Sequence, residues 1–421
     1  MEIYNQLFLQ ALKAALKGEK VQWDEAISHE DWLKLMNLAQ MHNVLAMIYE
    51  AVYSCPAAKG IDPQLNNTYK KRMVYQVTHQ TMKTQEFLAL VQFLREEGLT
   101  PVVVKGIVCR NLYPKPDYRI SADEDVLIPK EQFEACHEKM LAYGMCVVKN
   151  EEQIENLHEV SYGKRGNPIY IELHKYLFEP EADAYGEWNQ YFTEIFDHVI
   201  EEKVEKSTVL TMDHTEHLFY LICHSFKHFL HSGFGIRQVC DITLFANAYG
   251  KNIDWQKVLN WCKEIHAEKF GAALFKIGEK YLTFEPERAC YPKQWQEIET
   301  DETNLLGDLL SGGVYGRANM SRQHSSNMTL NAVAADKKGK KADGNVLSLV
   351  FPPVKKLKGR YTYLEKKPYL LPVAWVNRLA RYRKETSSME ENRASESVRI
   401  GHQRIELLKE YGVISEKNND K

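Results

Sequence analysis

Two aspartates spaced two residues apart, Asp123 and Asp125, stand at the start of an apolar run that continues from Val126 to Ile128. Alternate side chains of a strand point to the same side, so the two carboxylates are expected to lie a few ångströms apart. Two like charges held that close require a cation. The pair therefore predicts a metal site at the beginning of a strand.

A third carboxylate with suitable geometry, Glu172, stands in the stretch NPIYIELHKYL, where apolar and polar residues alternate as they do in a half-buried strand. If this strand lies beside the aspartates, three carboxylates converge on one patch. Oxygen ligands on a rigid sheet suit Mg²⁺, with Mn²⁺ as the alternative. We predict that Asp123, Asp125 and Glu172 bind the metal and catalyse transfer of a phosphoryl or nucleotidyl group. Glu172 would lie near the hydroxyl that accepts this group, as ligand or general base. His174, on the same strand face, either supports this site or packs.

The elements that must position these acids begin with a strand ending at Val104 and a turn at Lys105 and Gly106. A glycine here lets phosphate oxygens approach the N–H groups of a helix start, and the lysine supplies a counter-charge. The alternative is a sharp turn with a surface lysine. Arg119, four residues before Asp123, is placed to meet a phosphate, whereas Arg110 is expected on an exposed helix face.

The stretch KGIVCRNLYPKPDYRISADEDVLI, with the later IELH, HSFKHFLHSGFGIRQVCDI and NIDWQKV, resembles the DNA polymerase beta nucleotidyltransferase superfamily. More closely, it is similar to the bacterial family described as uncharacterised nucleotidyltransferases, over about Leu99 to Phe284. The resemblance implies Mg²⁺-dependent transfer of a nucleoside monophosphate from a nucleoside triphosphate to an acceptor hydroxyl. Lys105-Gly106 replaces the usual Gly-Ser, and Glu124 fills a commonly apolar position. The second difference is harmless if the Glu124 side chain reaches the sheet rim.

Four histidines, at 217, 224, 228 and 231, follow one helical stripe. A polar cleft wall is favoured over a metal site, since no carboxylate joins them in a known ligand pattern. His224, Lys227 and His228 are then candidates for contacting the nucleotide.

Arg237 and Asp241 are spaced as i and i+4 on a predicted helix. They form either a helix-surface ion pair or a nucleotide-binding motif of the kind found in toxin-type members of the superfamily. Both residues therefore join the nucleotide-binding candidates.

Composition and charge restrict the partners. The 421 residues carry a net charge of −3, which gives no global attraction to long nucleic acid or to a membrane. Eight dispersed cysteines, no leader pattern and no run of about 18 apolar residues predict a cytoplasmic protein without a membrane span. The acceptor is left open among a small molecule, a protein and a tRNA end.

The order of predicted elements favours an α+β fold, with a small mixed sheet as the nucleotidyltransferase core between helical segments. We predict helices over residues 1–98, the core over 99–205 and a helical domain over 206–300. An irregular and helical region follows over 301–421, with a mobile loop near 316–345 because that stretch is polar. The alternatives to a nucleotidyltransferase are a non-catalytic nucleotide-binding module and a metal hydrolase built on the stripe from His217 to His231.

Overall fold

The computed structural model describes residues 1–58, 61–148, 154, 157–313, 320–339, 354, 357, 361, 363–386 and 394–415. It has the predicted α+β fold, in which helices flank one mixed sheet. Four helices precede the sheet: α1 Ile3–Lys17, α2 His29–Met41, α3 Leu45–Val52 and α4 Pro63–Glu96.

The long helix α4 has clear start and stop signals. Its first residue is Pro63, preceded by Asp62, whose carboxylate accepts a hydrogen bond from the Gln64 N–H. Beyond its end, Gly98 has φ +80°, the left-handed conformation expected of a glycine after a helix. The middle of α4 buries polar side chains, Gln80, Lys83 and Thr84, which face the candidate site.

The sheet has seven strands in the order β3-β4-β5-β2-β1-β7-β6. Their bounds are β1 Val102–Val104, β2 Glu124–Leu127, β3 Cys146–Val147, β4 Glu159–Lys164, β5 Asn167–His174, β6 Ile200–Val204 and β7 Ser207–Thr211. Two neighbouring pairs, β2 with β5 and β1 with β7, are parallel, and the others are antiparallel. Strands β4 and β5 form an antiparallel hairpin, and the sheet extends past residue 205 to Thr211.

Two short helices lie between the strands, α5 Gly106–Arg110 after β1 and α6 Phe133–Ala142 after β2. The helical unit that follows the sheet consists of α7 His214–His231, α8 Ile236–Tyr249, α9 Trp255–Glu264 and α10 Glu268–Tyr281. Asp213 and Asp254 cap the starts of α7 and α9 by accepting backbone N–H bonds. The β7–α7 connection is short, so α7 begins at the sheet edge where β1 ends.

Six further α-helices follow α10 among the described residues: α11 Lys293–Gln296, α12 Thr303–Gly312, α13 Met320–Lys337, α14 Tyr363–Lys366, α15 Leu371–Thr386 and α16 Ala394–Glu410. The prediction of a mobile loop near 316–345 is wrong for α13. Its small residues allow close packing, and Thr329 donates its hydroxyl to the carbonyl of Leu230 at 2.6 Å, so its polar groups are buried with partners. The ends of the predicted loop lie outside the described residues. None of the described helices combines the length and apolar character needed to cross a membrane.

Candidate active site

Asp125 and Glu172 lie directly opposite each other on two adjacent parallel strands, β2 and β5. His174 follows two residues after Glu172 and so shares its face of the sheet. Ligand-type atoms of Asp125, Glu172 and His174 all lie within 4.8 Å of one another. The structure therefore brings two of the three predicted acids together and adds the histidine.

Asp123, the third predicted acid, immediately precedes β2 and is half-buried. It lines a polar cleft together with Lys105, His224 and Arg237. Its charge contributes to raising the pKa of Glu172, which places it near the pair although it is outside the group of three. Among the described residues it has no hydrogen bond or ion pair, so its carboxylate is available to a ligand.

The two paired acids have opposite electrostatic environments. Burial alone would raise the pKa of Asp125, but the Lys105 ammonium, 2.9 Å from Oδ2, and the His174 ring, 3.1 Å from Oδ1, hold it well below its usual range. Burial, reinforced by Asp125 and Asp123, raises the pKa of Glu172 to about 7. At neutral pH, Asp125 is therefore ionised, whereas Glu172 is close to its pKa and exchanges its proton readily.

Glu159, which sequence reasoning missed, lies on β4 opposite His174. Its Oε2 is 3.6 Å from His174 Nδ1. Burial would raise the pKa of Glu159, but His158 and His174 outweigh burial and lower this pKa to about 2. His174 is thus surrounded by acids, and the pKa of His174 is raised despite its burial. The polar turn KRGN between β4 and β5 is the sequence signal that could have found Glu159, but only with the correct register.

Lys105 occupies a strained turn between β1 and α5, with φ +46° and ψ −111°. Its backbone N–H donates to His217 Nε2 at 3.0 Å, while Nδ1 of that ring is 3.3 Å from the Thr211 hydroxyl. Burial lowers the pKa of His217 to about 3, so the ring is neutral and can accept this bond. His217 thus fixes the turn that aims the Lys105 side chain at Asp125.

Gly106 also has a structural role, because it leaves space for the side chain of Glu124. A Cβ at this position would lie 2.2 Å from Glu124 Oε2, so the missing side chain makes room for that carboxylate. Glu124 is fully buried, 2.5 Å from Arg110 Nη2 and 2.6 Å from the Ser121 hydroxyl, with Lys83 at 3.6 Å. The Glu124 side chain does not reach the sheet rim, and the expectation of Arg110 on an exposed face is wrong, because each buried charge is neutralised by the other.

Arg237 and Asp241 do not form the surface pair considered from their spacing. Both are buried, and Asp241 instead binds Arg119 through two hydrogen bonds of 2.8 and 2.5 Å and accepts a third from the Tyr113 hydroxyl at 2.7 Å. Arg237 donates to the Ile120 carbonyl. Asp241 therefore orients Arg119, and Arg119 and Arg237 both line the cleft.

The histidine stripe divides into different environments. His224 Nε2 lies 3.0 Å from Lys105 Nζ and 3.3 Å from His228 Nε2, whereas His231 lies 3.1 Å from the Tyr185 hydroxyl. No three ligand-type side chains of the stripe come together within the described part of the chain. The cleft-wall interpretation agrees with the position of His224, which lines the cleft beside Lys105.

Lys227 is half-buried beside the same region. Its ammonium lies 5.9 Å from the centre of the Phe178 ring. Burial and the nearby Lys105 charge lower the pKa of Lys227, while Glu159 and Asp125 oppose this shift. The candidate site is therefore bordered by cations on its helical side and by acids on its sheet side.

Comparison with known families gives a match to the one described as uncharacterised nucleotidyltransferase, over residues 28–282. No curated protein matches the chain. The matched region starts well before the predicted core and includes α2 to α4, in agreement with the contacts that α4 makes to Glu124 and Ser121. Because the match spans more than half of the sequence, the chain belongs to this nucleotidyltransferase family, whose name gives nucleotidyl transfer as its reaction class and a nucleotide as its substrate class.

Proposed function

We propose that the protein is a Mg²⁺-dependent enzyme of the polymerase beta type that transfers a nucleoside monophosphate to an acceptor hydroxyl. The acceptor oxygen attacks the α-phosphorus, the bond to the β-phosphate oxygen breaks, pyrophosphate leaves, and the hydroxyl proton passes to a base. The observation that carries the proposal is the register of β2 and β5, which sets Asp125 opposite Glu172 beside the half-buried Asp123.

The residues present fit a divalent metal. Asp123, Asp125 and Glu172 would hold it, since carboxylate oxygens are the ligands that Mg²⁺ prefers. The raised pKa of Glu172 supports metal binding here, because it reflects nearby negative charge that the side chains of the protein do not fully neutralise. When bound, the metal supplies charge neutralisation at the phosphates and at the attacking oxygen.

The side chains of the site have separable tasks. Lys105 is the counter-charge of Asp125 and lies where it can also meet a phosphate oxygen. Glu172, opposite Asp125 on the neighbouring strand, is placed to bind the metal or to take the acceptor proton. His217 orients the Lys105 turn through a backbone hydrogen bond.

The cleft offers donors for the phosphates. Arg119 Nη1 and Arg237 Nε are buried and have no hydrogen-bond partner among the described residues. Such orphaned donors are costly unless a ligand satisfies them. The free volume of the cleft is about 20 Å³, so nucleotide entry requires its long side chains to move apart. His224, Lys227 and His228 would then border the triphosphate from the helical side.

The test compares transfer of label from each of four nucleoside triphosphates, labelled at the α- or the γ-phosphate, to acceptors in cell extract. The proposal predicts incorporation of the α-label only, its loss on chelation of Mg²⁺, and a drop of about a hundredfold or more in Asp125→Asn. Glu131→Gln, at an exposed acid outside the cleft, is the matched control and should retain full transfer.

Incorporation of the γ-label would refute the proposed reaction, as would unchanged transfer by Asp125→Asn. Triphosphate binding in calorimetry with no transfer to any small molecule, protein or RNA fraction would favour the non-catalytic nucleotide-binding module.

A further inference from the structure

The charge of this chain is strongly segregated. Between Val354 and Lys384 the sequence contains ten lysines and arginines and one acid, a net charge of +9. Since the whole chain carries −3, the remaining residues together carry −12. The absence of a global attraction to anionic surfaces therefore does not extend to this segment.

The described part of the segment has its own small apolar cluster, separate from the main core. Leu357, Tyr361, Leu364 and Ala374 are buried together, and Arg381 of α15 donates a hydrogen bond to the Tyr361 hydroxyl at 2.7 Å. One face of α15 is thereby fixed against its neighbours. The described part of the segment therefore folds around an apolar cluster of its own.

The opposite face of α15 is apolar and exposed. Tyr369, just before the helix, and Val373, Val376 and Ala380 are spaced as one helical stripe, and the first three are 72 %, 51 % and 64 % exposed. Exposed large apolar side chains aligned in this way are unfavourable in water. A partner that covers them must accept both aliphatic groups and surrounding cations.

We propose that the exposed stripe of α15 binds an anionic lipid surface, lying in the plane of the headgroups. Apolar side chains on one face of a basic helix enter the headgroup boundary while lysines and arginines attract anionic lipids. Lys367, exposed two residues before Tyr369, is a described cation near the start of the stripe. An RNA is the less suitable partner, because only Tyr369 of the stripe could stack on a base, whereas Val373 and Val376 gain nothing from a phosphate backbone.

The test is sedimentation of the full-length protein with vesicles of phosphatidylcholine alone or with about one third phosphatidylglycerol, at low and at physiological salt. We expect binding to the anionic vesicles only, weakened by salt as screening requires. Val376→Glu should weaken it by about tenfold or more, because it removes apolar burial and adds a repelled charge.

Val74→Glu is the matched control, since Val74 is 50 % exposed on α4, far along the sequence from this segment, and the same charge is added. Circular dichroism establishes that both variants remain folded. The proposal is overturned if Val376→Glu and Val74→Glu bind the anionic vesicles equally well, or if the wild-type protein does not bind those vesicles. Retention of the protein by RNA in place of the vesicles would also overturn it.

Discussion

Replacing Glu172 by glutamine is expected to stabilise the metal-free protein at alkaline pH. Folding raises the pKa of this carboxyl from its ordinary value of 4.5 to about 7, because it is buried next to Asp125 and Asp123. When the pKa of an acid is higher in the folded state than in the unfolded state, the acid stabilises the folded protein at pH values below its unfolded-state pKa. This stabilisation is lost as pH rises through the folded-state pKa. The neutral amide has no such dependence on pH.

The magnitude follows from the two pKa values. Their difference corresponds to about 3 kcal/mol at pH 8.5, where the carboxyl is ionised in both states, and to under about 1 kcal/mol at pH 5. The predicted gain in the free energy of unfolding for Glu172→Gln is therefore about 3 kcal/mol at pH 8.5 and small at pH 5. Urea denaturation in the presence of a chelator measures both values.

Magnesium supplies a second arm of the same experiment. A ligand that binds only the folded state stabilises it, so excess Mg²⁺ should raise the stability of the wild-type protein at pH 8.5 and reduce the advantage of Glu172→Gln. This links the pKa of the carboxyl to the metal proposal without measuring activity.

Glu159→Gln is the matched control with the opposite sign. The pKa of Glu159 is lowered to about 2, chiefly by His158 and His174 acting against burial, so its contribution to stability is present above pH 4.5 and is lost as pH falls towards 2. This variant should be less stable than the wild-type protein at pH 5, where the carboxylate of Glu159 is ionised and faces protonated His174. The reasoning is refuted if Glu172→Gln is destabilising at pH 8.5, or if its effect is the same at both pH values.

Three further predictions concern the turn and its buried support. Arg110→Met should lower the free energy of unfolding by about 3–5 kcal/mol by removing the closest cation from buried Glu124, which keeps only Lys83 at 3.6 Å, whereas the double variant with Glu124→Leu should recover part of that loss in urea denaturation. Gly106→Ala should abolish transfer and destabilise the fold, since its Cβ would overlap Glu124, and wild-type activity and thermal stability in this variant would contradict the packing argument. At the adjacent turn, Lys105→Gly should be more stable than Lys105→Ala by about 1–3 kcal/mol because φ is +46°, and equal midpoints in urea would show that the turn is unstrained.

The alternation of residues along β5 and the apolar run of β2 were sufficient to predict two strands and the acids on them. Neither strand by itself says which strand is its neighbour. The parallel pairing that sets Asp125 against Glu172 is a long-range contact, and it depends on how the whole sheet of seven strands assembles.

The register of the β4–β5 hairpin shows the same limit at short range. Counting back from the turn pair, Lys164 with Asn167, would place Glu159 opposite Glu172. An irregularity between Gly163 and Lys164 shifts the pairing and places Glu159 opposite His174 instead. Nothing in the local residue pattern specifies that shift, so this acid was missed.

Sequence by itself determined the α+β class and the strand acids, because these depend on the periodicity of side chains along the chain. Only the tertiary structure decided which charges pair. Glu124 and Arg110 looked exposed because isolated charges avoid the interior, yet both are buried, since each provides the counter-charge that the other requires. The partner of Asp241 is likewise Arg119, which is distant in sequence, and not Arg237, which is four residues away. A buried carboxylate is stabilised by the cation that contacts it in the folded structure.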